Sequence, residues 1–472
     1  MINSPLKIST KHLNWLSLKT SFYNIIDNHL DIDSIPASEI NRFLKNLQQE
    51  FFTAATTSQR NFKDRQYHPH NKKKRKNAIW WTRELEIKRS KTRALRRLYQ
   101  KESNQQIRTI KLASYKKNLV EYKRLILAKK KEKFQEYINS ITSSTLFGNN
   151  FNIITNKKRR TTMKRPIYNS DGNLTNSIQE STVAILDFHF PWSEEVLHST
   201  TLGAQNDFFP ISINETEGII NRNKLNKAVG TDGLPGEIIK EIFFANRQWF
   251  TALLNYLLEK GTFPETWKSA RIVLLDKENK SLDHPSHFRP ICVLPCWKKV
   301  FDKLIADKLS YHLEHDQILS NKQFGFRKNR STILALKEII DFNSVAKENN
   351  HLTCLISIDM SNAFNNVDWN ILFGKINLLS IPLYLKNILL DFLHNRTVSY
   401  QGVHKKYNKG VPQGSCLGPI LWNVFINDLL LKDFGPNSKV QAFADDILMM
   451  INAPASYCFT RDSRYALSVI EN

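Results

Sequence analysis

The sequence predicts a mixed α/β (α+β) chain, and three features support that class. Two apolar runs, 352–358 and 440–450, are short enough to form strands, and each adjoins or contains acidic residues. The apolar run 420–430 between them has the length of a helix. Upstream, five apolar residues follow the alternating three- and four-residue spacing of an amphipathic helix or a helical hairpin: Leu112, Tyr115, Leu119, Tyr122 and Ile126.

Composition and charge limit the functions open to this chain. Its 472 residues have room for two or three domains. The formal net charge of +24 favours a polyanionic partner, with nucleic acid ahead of an anionic membrane. No uncharged apolar run approaches the roughly 18 residues of a membrane span, and residues 1–10 lack a signal-peptide core, so we expect no membrane partner. Five scattered cysteines favour a reducing, intracellular compartment.

Three acidic residues form the first candidate site. Asp445 and Asp446 divide the run 440–450 into two strand-length halves, which predicts a hairpin with both carboxylates near its tip. Carboxylates this close repel unless a cation neutralises them, and a solvated Asp-Asp turn is the plain alternative. Asp359 ends the run 352–358, which we predict to be a buried strand, and a helix N-cap is the alternative role for this acid. If the strands share one sheet, the three carboxylates converge.

Converging carboxylates suit a pair of divalent cations. Two-metal phosphoryl transfer uses ions roughly 3.5–4 Å apart. Ligands that are all oxygen atoms favour magnesium or manganese over zinc. The sequence therefore predicts two Mg²⁺ (or Mn²⁺) ions held by Asp359, Asp445 and Asp446.

A loop rich in glycine and proline, residues 409–419, lies between the acidic strands. Glycine lets the backbone approach a ligand closely, and the side-chain amide of Gln413 is suited to contact a base or a sugar. A loop of this composition alone indicates only a turn. Its position between the acids is what favours a binding role.

The three segments resemble, in order and spacing, the palm motifs of reverse transcriptases: Asp359-x-x-x-Ala363-Phe364, then 410–419, then Phe443-Ala444-Asp445-Asp446. The loop ending at 415–419 is similar to that of non-LTR (LINE-like) retrotransposons of the arthropod jockey and ribosomal-DNA-inserting kinds. The resemblance implies right-hand polymerase fingers and a palm with a ferredoxin-like antiparallel sheet, preceded by a basic helical region. It implies an RNA-directed DNA polymerase, whose partners are an RNA template, a DNA primer or target, and deoxynucleoside triphosphates.

The resemblance also implies roles for single residues. It makes Asp359, Asp445 and Asp446 catalytic, and it adds the backbone carbonyl of Met360 as a metal ligand. Phe364 would lie under the sugar and exclude a 2′-hydroxyl. The other substrate-binding residues that it implies are Lys277, Arg289, Ala363, Gln413 and Gly414. Arginine suits bidentate contact with a triphosphate, and lysine supplies a point charge.

Nucleic-acid contacts are predicted in two places. The region 72–133 holds 23 Lys or Arg against 5 Glu, which favours phosphate binding over a merely solvated helix face. Arg327 is predicted to follow the template or primer backbone, and Ser331 to cap a helix. A basic cluster at the start of the region is also a weak nuclear-import pattern, so we expect a nuclear location: Lys72, Lys73, Lys74, Arg75 and Lys76.

The chain departs from the family pattern at three points. Asn365 stands where the family usually has Asp, and Trp369 stands where it usually has His. Only 26 residues follow Asp446, and the family's thumb lies beyond that point. We therefore expect fingers and palm without a thumb or an upstream endonuclease, and little DNA synthesis by this chain.

We expect four regions along the chain. They are a mixed helical segment at 1–63, a basic helical linker at 64–150, a loop-rich connector at 151–214, and fingers and palm at 215–472 with a core at about 255–472. Two other functions stay open. One is a catalytically inactive, nucleic-acid-binding retrotransposon remnant, and the other is an intron maturase or telomerase-like reverse transcriptase, which the loop ending at 415–419 disfavours.

Overall fold

The computed structural model describes residues 8–65, 81–139, 166–192, 208–222, 228–277, 283–360 and 362–471. The helices are α1 (Trp15–Asp27), α2 (Ile40–Arg65), α3 (Arg83–Lys101), α4 (Gln105–Asn139), α5 (Ile178–His189), α6 (Ile213–Arg222), α7 (Gly236–Ala245), α8 (Arg247–Glu259), α9 (Glu265–Lys268), α10 (Cys296–His315), α11 (Thr332–Glu348), α12 (Trp369–Leu378), α13 (Leu383–Leu393), α14 (Leu417–Leu431) and α15 (Ser456–Glu471). The strands are β1 (Ser269–Asp276), β2 (Phe288–Val293), β3 (Leu352–Asp359), β4 (Thr397–Tyr400), β5 (Val403–Lys406), β6 (Ser438–Phe443) and β7 (Asp446–Ala453). The predicted mixed α/β class is therefore confirmed.

The chain divides into two compact units, and residues 68–159 form the smaller one. Its described part is a hairpin of α3 and α4. The side chain of Thr82 caps α3 by accepting a hydrogen bond from the Leu85 amide at 3.4 Å. Across the hairpin, the rings of Tyr99 and Tyr115 stack with centroids 5.3 Å apart. The apolar spacing at 112–126 predicts a helix or a helical hairpin, and the structure contains a hairpin with all five spaced residues on α4.

The larger unit contains residues 1–67 and 160–472, and its core includes the N-terminal helices. Phe51 of α2 is fully buried and packs edge-on against Phe22 of α1, with ring centroids 5.3 Å apart. On its other side it lies 5.8 Å from the ring of Trp297, which stacks on Phe250 at 5.3 Å. The described helices of the segment 1–63 thus belong to the same core as the strands downstream.

Two sheets organise the larger unit. The four-stranded sheet has the order β2-β1-β4-β5, in which β1 and β4 are parallel and the other neighbours are antiparallel. The three-stranded sheet has the order β3-β7-β6 and is antiparallel throughout. This second sheet carries the predicted acids, and its antiparallel pairing agrees with the expected palm.

The prediction of a buried strand at 352–358 is wrong in its burial. In the described chain β3 is an edge strand that pairs with β7, and Leu352 and Leu355 on it are 60% and 51% exposed. The central position belongs to β7, because β7 pairs with both β3 and β6. A run that is apolar on both faces does not reveal from sequence which face is covered.

Candidate active site

The hairpin of β6 and β7 places two of the acids at a tight turn. Phe443 pairs with Asp446, so Ala444 and Asp445 form a two-residue connection. Ala444 has a φ of 62°, in the left-handed region that glycine normally occupies in such turns. A strained backbone conformation thus lies directly beside the acidic pair.

The register of the sheet brings the third acid to the same place. Asp359 is the direct partner of Asp446 across β3 and β7, so both side chains lie on one face of the sheet. Asp359 and Asp446 are exposed and Asp445 is half-buried. Like charges opposite each other destabilise a sheet, and within the described residues none of the three has an ion pair or a side-chain hydrogen bond to offset this.

The donor set fits a hard cation in chemistry, since all its side-chain ligands are carboxylate oxygens. The described part of the chain nonetheless contains no cluster of three or more His, Cys, Asp or Glu side chains placed to bind a metal ion. The backbone therefore brings three acids together, whereas the ligand geometry stays a prediction. The same holds for the carbonyl of Met360.

The loop at 409–416 is fixed to the four-stranded sheet and to α10. The Cys292 amide of β2 donates to the Gln413 carbonyl at 3.0 Å. Gly414 has a φ of +112°, and a Cβ there would meet the Cys292 carbonyl oxygen at 2.7 Å, so only glycine fits this approach. The Ser415 hydroxyl donates to the Asp302 carboxylate at 2.9 Å, and the Cys416 amide donates to it at 2.6 Å.

Asp302 and its partner Lys298 were missed by the sequence reasoning. Both are fully buried on α10, with Lys298 Nζ 2.9 Å from Asp302 Oδ2. Burial lowers the pKa of Lys298 to about 8, and the negative charge of Asp302 opposes that shift. The available signal was a Lys-x-x-x-Asp pair with apolar neighbours in a predicted helix, since this spacing places both charges on one face.

Gln413 belongs to a chain of buried polar groups. Its Nε2 atom donates to Asn365 Oδ1 at 3.4 Å, and Asn365 Nδ2 donates to His189 Nδ1 at 3.0 Å. His189 Nε2 then donates to the Pro285 carbonyl at 2.9 Å. Burial lowers the pKa of His189 to about 4, which keeps the ring neutral in this arrangement. The departure at Asn365 thus has a structural role, as the donor to His189.

The second departure, Trp369, is also structural. Its side chain is buried, and its Nε1 atom donates to the Gly410 carbonyl at 2.8 Å. Gly410 has a φ of +81°, and a Cβ there would meet the Asn365 carbonyl oxygen at 2.7 Å. Trp369 therefore fixes the start of the loop against the segment that carries Asn365.

The other predicted substrate residues lie around this loop. Ala363 is buried, and Phe364 is half-buried between Trp422 and Phe326, with ring centroids 5.2 and 6.0 Å away. Arg289 on β2 is exposed opposite Leu275. Lys277 follows β1 and is half-buried, with its backbone amide bonded to the His287 carbonyl at 2.9 Å.

The side chain of Arg327, for which a nucleic-acid role is predicted, is bonded within the protein. Its side chain is only 5% exposed, and its guanidinium makes a bidentate pair with Glu314 at 2.8 and 2.7 Å. The same group donates to the Ser320 carbonyl at 2.6 Å. Arg327 thus anchors the end of α10 through Glu314, and its contact with a template or primer backbone stays a prediction.

The remaining expectations concern a helix cap, the basic cluster at 72–76 and a membrane-spanning helix. Ser331 caps α11 as predicted, since its hydroxyl accepts from the Leu334 amide at 3.3 Å. The basic cluster at 72–76 lies outside the described residues. No helix in the described ranges has an apolar stretch long enough to cross a bilayer.

Comparisons with known proteins agree on one family. Residues 275–463 match the family model described as reverse transcriptase (RNA-dependent DNA polymerase). The chain is 28% identical over 384 residues to the Retrovirus-related Pol polyprotein from type-1 retrotransposable element R1 of Bradysia coprophila, covering 79% of this chain and 38% of that protein. It is 31% identical over 226 residues to the RNA-directed DNA polymerase from mobile element jockey of Drosophila melanogaster, covering 46% and 24%.

A third relative extends the same pattern. The probable RNA-directed DNA polymerase from transposon BS of Drosophila melanogaster is 30% identical over 254 residues, which cover 52% of this chain and 28% of that protein. The chain thus spans well under half the length of each of these relatives. The matched region contains β3, the loop, and the β6–β7 hairpin.

Proposed function

We propose that this chain, which carries the reverse transcriptase domain of non-LTR retrotransposons, adds deoxynucleotides to a DNA 3′ end on an RNA template. One observation supports the proposal above the others. Asp359 lies directly opposite Asp446, and Asp445 occupies the adjoining turn. Three exposed or half-buried carboxylates without a cationic partner in the described chain suit a site that binds its counter-ions together with substrate.

In the proposed reaction the primer 3′-oxygen attacks the α-phosphorus of the incoming triphosphate, and pyrophosphate leaves. Two Mg²⁺ ions, held by Asp359, Asp445, Asp446 and the Met360 carbonyl, would neutralise the attacking and leaving oxygens. The chain's own cations bind the substrate: exposed Arg289 contacts the phosphates through its planar guanidinium.

Two residues orient the sugar and the base in this proposal. Phe364 is held between two rings, so it presents a fixed edge that excludes a 2′-hydroxyl. The side-chain amide of Gln413 is oriented by its hydrogen bond to Asn365. The backbone carbonyl of Gln413 accepts from the Cys292 amide of β2. Orientation of this kind lowers the barrier because fewer substrate positions are sampled before reaction.

The helical hairpin of α3 and α4 supplies the proposed nucleic-acid surface. Many of its Lys and Arg side chains are exposed, including Lys116, Lys117 and Lys123 on α4. Such charges release counter-ions when they bind phosphates, whatever the base sequence. We propose the RNA template as this partner and a DNA primer or target as the second. Chromosomal DNA as target would place the chain in the nucleus.

The test replaces the acids one at a time with isosteric amides. Asp359→Asn and Asp445→Asn should each lower Mg²⁺-dependent primer extension by about a hundredfold or more, since each removes a carboxylate that is proposed to hold the metal ions. RNA binding, measured by fluorescence anisotropy, should change less than about twofold. Asp428→Asn is the matched control, because this exposed acid on α14 pairs only with Lys375 at 3.0 Å among the described residues.

A second candidate function is a nucleic-acid-binding protein without catalysis. It is favoured by the absence, in the described ranges, of a side-chain cluster already arranged for a metal ion. Salt-dependent RNA binding without any extension above that of the Asp445→Asn variant would favour this function over the polymerase.

A further inference from the structure

A short segment before α11 lies along the free edge of the acidic sheet. The Ala442 amide of β6 donates to the Lys322 carbonyl at 2.8 Å, and the Phe324 amide donates to the Ala442 carbonyl at 2.8 Å. Gln323 and Ala442 are thus bridged in parallel orientation. The segment 322–325 therefore extends the sheet beside β6 and ends next to the turn at Ala444.

The side chain of Gln323 brackets that turn. It is 2% exposed, its Nε2 atom donates to the Ala444 carbonyl at 3.2 Å, and its Oε1 atom accepts from the Ala444 amide at 3.1 Å. The same Oε1 atom accepts from the Gly325 amide at 2.8 Å. The buried side-chain amide of Gln323 thus bonds to both the N–H and the C=O of Ala444, the residue in the left-handed conformation.

The neighbouring residues close the same turn from the other side. Trp422 Nε1 donates to the Ala444 carbonyl at 2.9 Å, and Asn423 Nδ2 donates to the Gly325 carbonyl at 3.0 Å. A Cβ on Gly325 would lie 2.1 Å from the Ala444 nitrogen, so the two backbones are in direct contact. Both Trp422 and Asn423 belong to α14, the helix that follows the loop.

The turn needs such support for two physical reasons. An alanine in the left-handed region is disfavoured because its Cβ lies too close to the following carbonyl oxygen. The adjoining carboxylates also repel each other and Asp359. A turn with both penalties would relax unless other groups held its backbone. The bonds to Gln323 hold it, because they require the N–H and C=O groups of Ala444 to point toward the same buried amide.

We propose that Gln323 is a positioning residue that holds the Ala444 turn in its left-handed conformation and thereby fixes Asp445 and Asp446 opposite Asp359. The clamp itself follows from the hydrogen bonds, whereas its effect on catalysis rests on the proposed function. Gln323 lies 121 residues from Ala444 in the chain, and it touches no group assigned to the substrate.

The test compares two side-chain amides that each bond to the N–H and the C=O of a single residue. Asn255 on α8 holds Ile211 in this way, accepting from the Ile211 amide at 2.6 Å and donating to the Ile211 carbonyl at 2.9 Å. In the full chain, Gln323→Ala should speed hydrogen exchange of the amides at 444–446 at least tenfold, as measured by residue-resolved mass spectrometry. Asn255→Ala should leave those amides unchanged.

Steady-state primer extension provides the second readout. Gln323→Ala should lower kcat by about 10- to 100-fold, because displacing a reacting group by about an ångström costs on that order. KM for the nucleotide should stay within about threefold, since the phosphate and sugar contacts are untouched. A variant that was merely unstable would contain less active protein. Its kcat, calculated per titrated active site, would therefore equal that of the parent.

Gln323→Glu keeps the test decisive if the alanine variant does not fold. Its carboxylate retains the acceptor for the Ala444 and Gly325 amides and loses the donor to the Ala444 carbonyl, so exchange at 444–446 should lie between parent and alanine variant. Unchanged exchange in both variants would overturn the clamp. Faster exchange with an unchanged kcat would overturn the positioning role. If exchange is faster in the variants but the parent chain extends no primer, the clamp is upheld and the proposed polymerase function is rejected instead.

Discussion

At the scale of single residues, the candidate active site depends on buried, uncharged polar side chains. His189 is 2% exposed and bonded at both ring nitrogens, to Asn365 and to the Pro285 carbonyl. The contact with Asn365 requires an unprotonated Nδ1 atom, because the amide nitrogen donates to it. The nearby charge of Lys277 adds to the effect of burial in keeping the ring neutral.

This arrangement predicts a dependence of stability on pH. The pKa of His189 is about 4 in the folded chain, against an ordinary value of 6.5. Between these two pH values the ring therefore takes up a proton only in the unfolded chain. The free energy of unfolding should therefore fall as the pH drops from about 6.5 to about 4. His189→Gln should flatten that decline, as measured by urea unfolding at several pH values.

A matched control is the exposed His404 on β5. His404→Gln shows how the loss of an exposed histidine changes the pH dependence of the free energy of unfolding. If His189→Gln and His404→Gln give the same pH dependence of unfolding, the buried neutral ring makes no contribution. Chemical-shift titration of His189 would then also have to give a pKa near the ordinary value.

At the scale of elements, the hairpin of α3 and α4 combines an apolar contact surface with dense positive charge. Tyr99 and Tyr115 stack between the helices, while the Lys and Arg side chains mostly point outward. Ion pairs such as Lys88–Glu121 at 2.5 Å engage only part of this charge. Exposed pairs contribute little stability, so the remaining cations are better explained by a polyanionic ligand.

We therefore predict that the triple substitution of Lys116, Lys117 and Lys123 by Gln weakens single-stranded RNA binding. If each lysine contacts one phosphate, the slope of log K against log salt should decrease in magnitude by about 2 units. Fluorescence anisotropy at several salt concentrations measures this slope.

The control removes the same charge from other exposed positions. Lys45, Lys260 and Lys347 lie in the larger unit and are also exposed. Their triple substitution by Gln should reduce the slope much less. Equal reductions by the two variants would mean that net charge, and not the hairpin surface, governs RNA binding.

At the scale of the whole molecule, the N-terminal helices and the acidic sheet belong to one core. Phe51 of α2 packs on Trp297 of α10, and Trp249 Nε1 donates to the His29 carbonyl at 2.7 Å. Helix α10 in turn carries Asp302, which holds the loop beside the acids. A contact chain thus joins residues near the start of the sequence to the candidate active site.

Phe51→Ala should for this reason destabilise the acidic sheet as well as α2. The loss of a fully buried phenylalanine costs about 3–5 kcal/mol in the free energy of unfolding. Hydrogen exchange of the most protected amides of β7 should accelerate accordingly. Phe209→Ala, at a side chain that is 63% exposed, should change that exchange little.

Acceleration confined to α1 and α2 would contradict this prediction. It would mean that the N-terminal helices unfold separately from the sheet, and that the rings of Phe51 and Trp297 form a contact between two cooperative units instead of lying within one.

The sequence alone determined the features set by short patterns and local chemistry. The apolar spacing at 112–126 predicted a helix or a helical hairpin, and the acids between two apolar runs predicted the β6–β7 hairpin, because side-chain periodicity is fixed within a few residues. The order of the three motifs led to the reverse transcriptase family. Only the tertiary structure decided which residues are paired across long stretches of chain: Arg327 with Glu314, His189 with Asn365, and Gln323 with Ala444. A polar residue offers the same donors and acceptors to any partner, so its role depends on what the fold brings within about 3 Å of it.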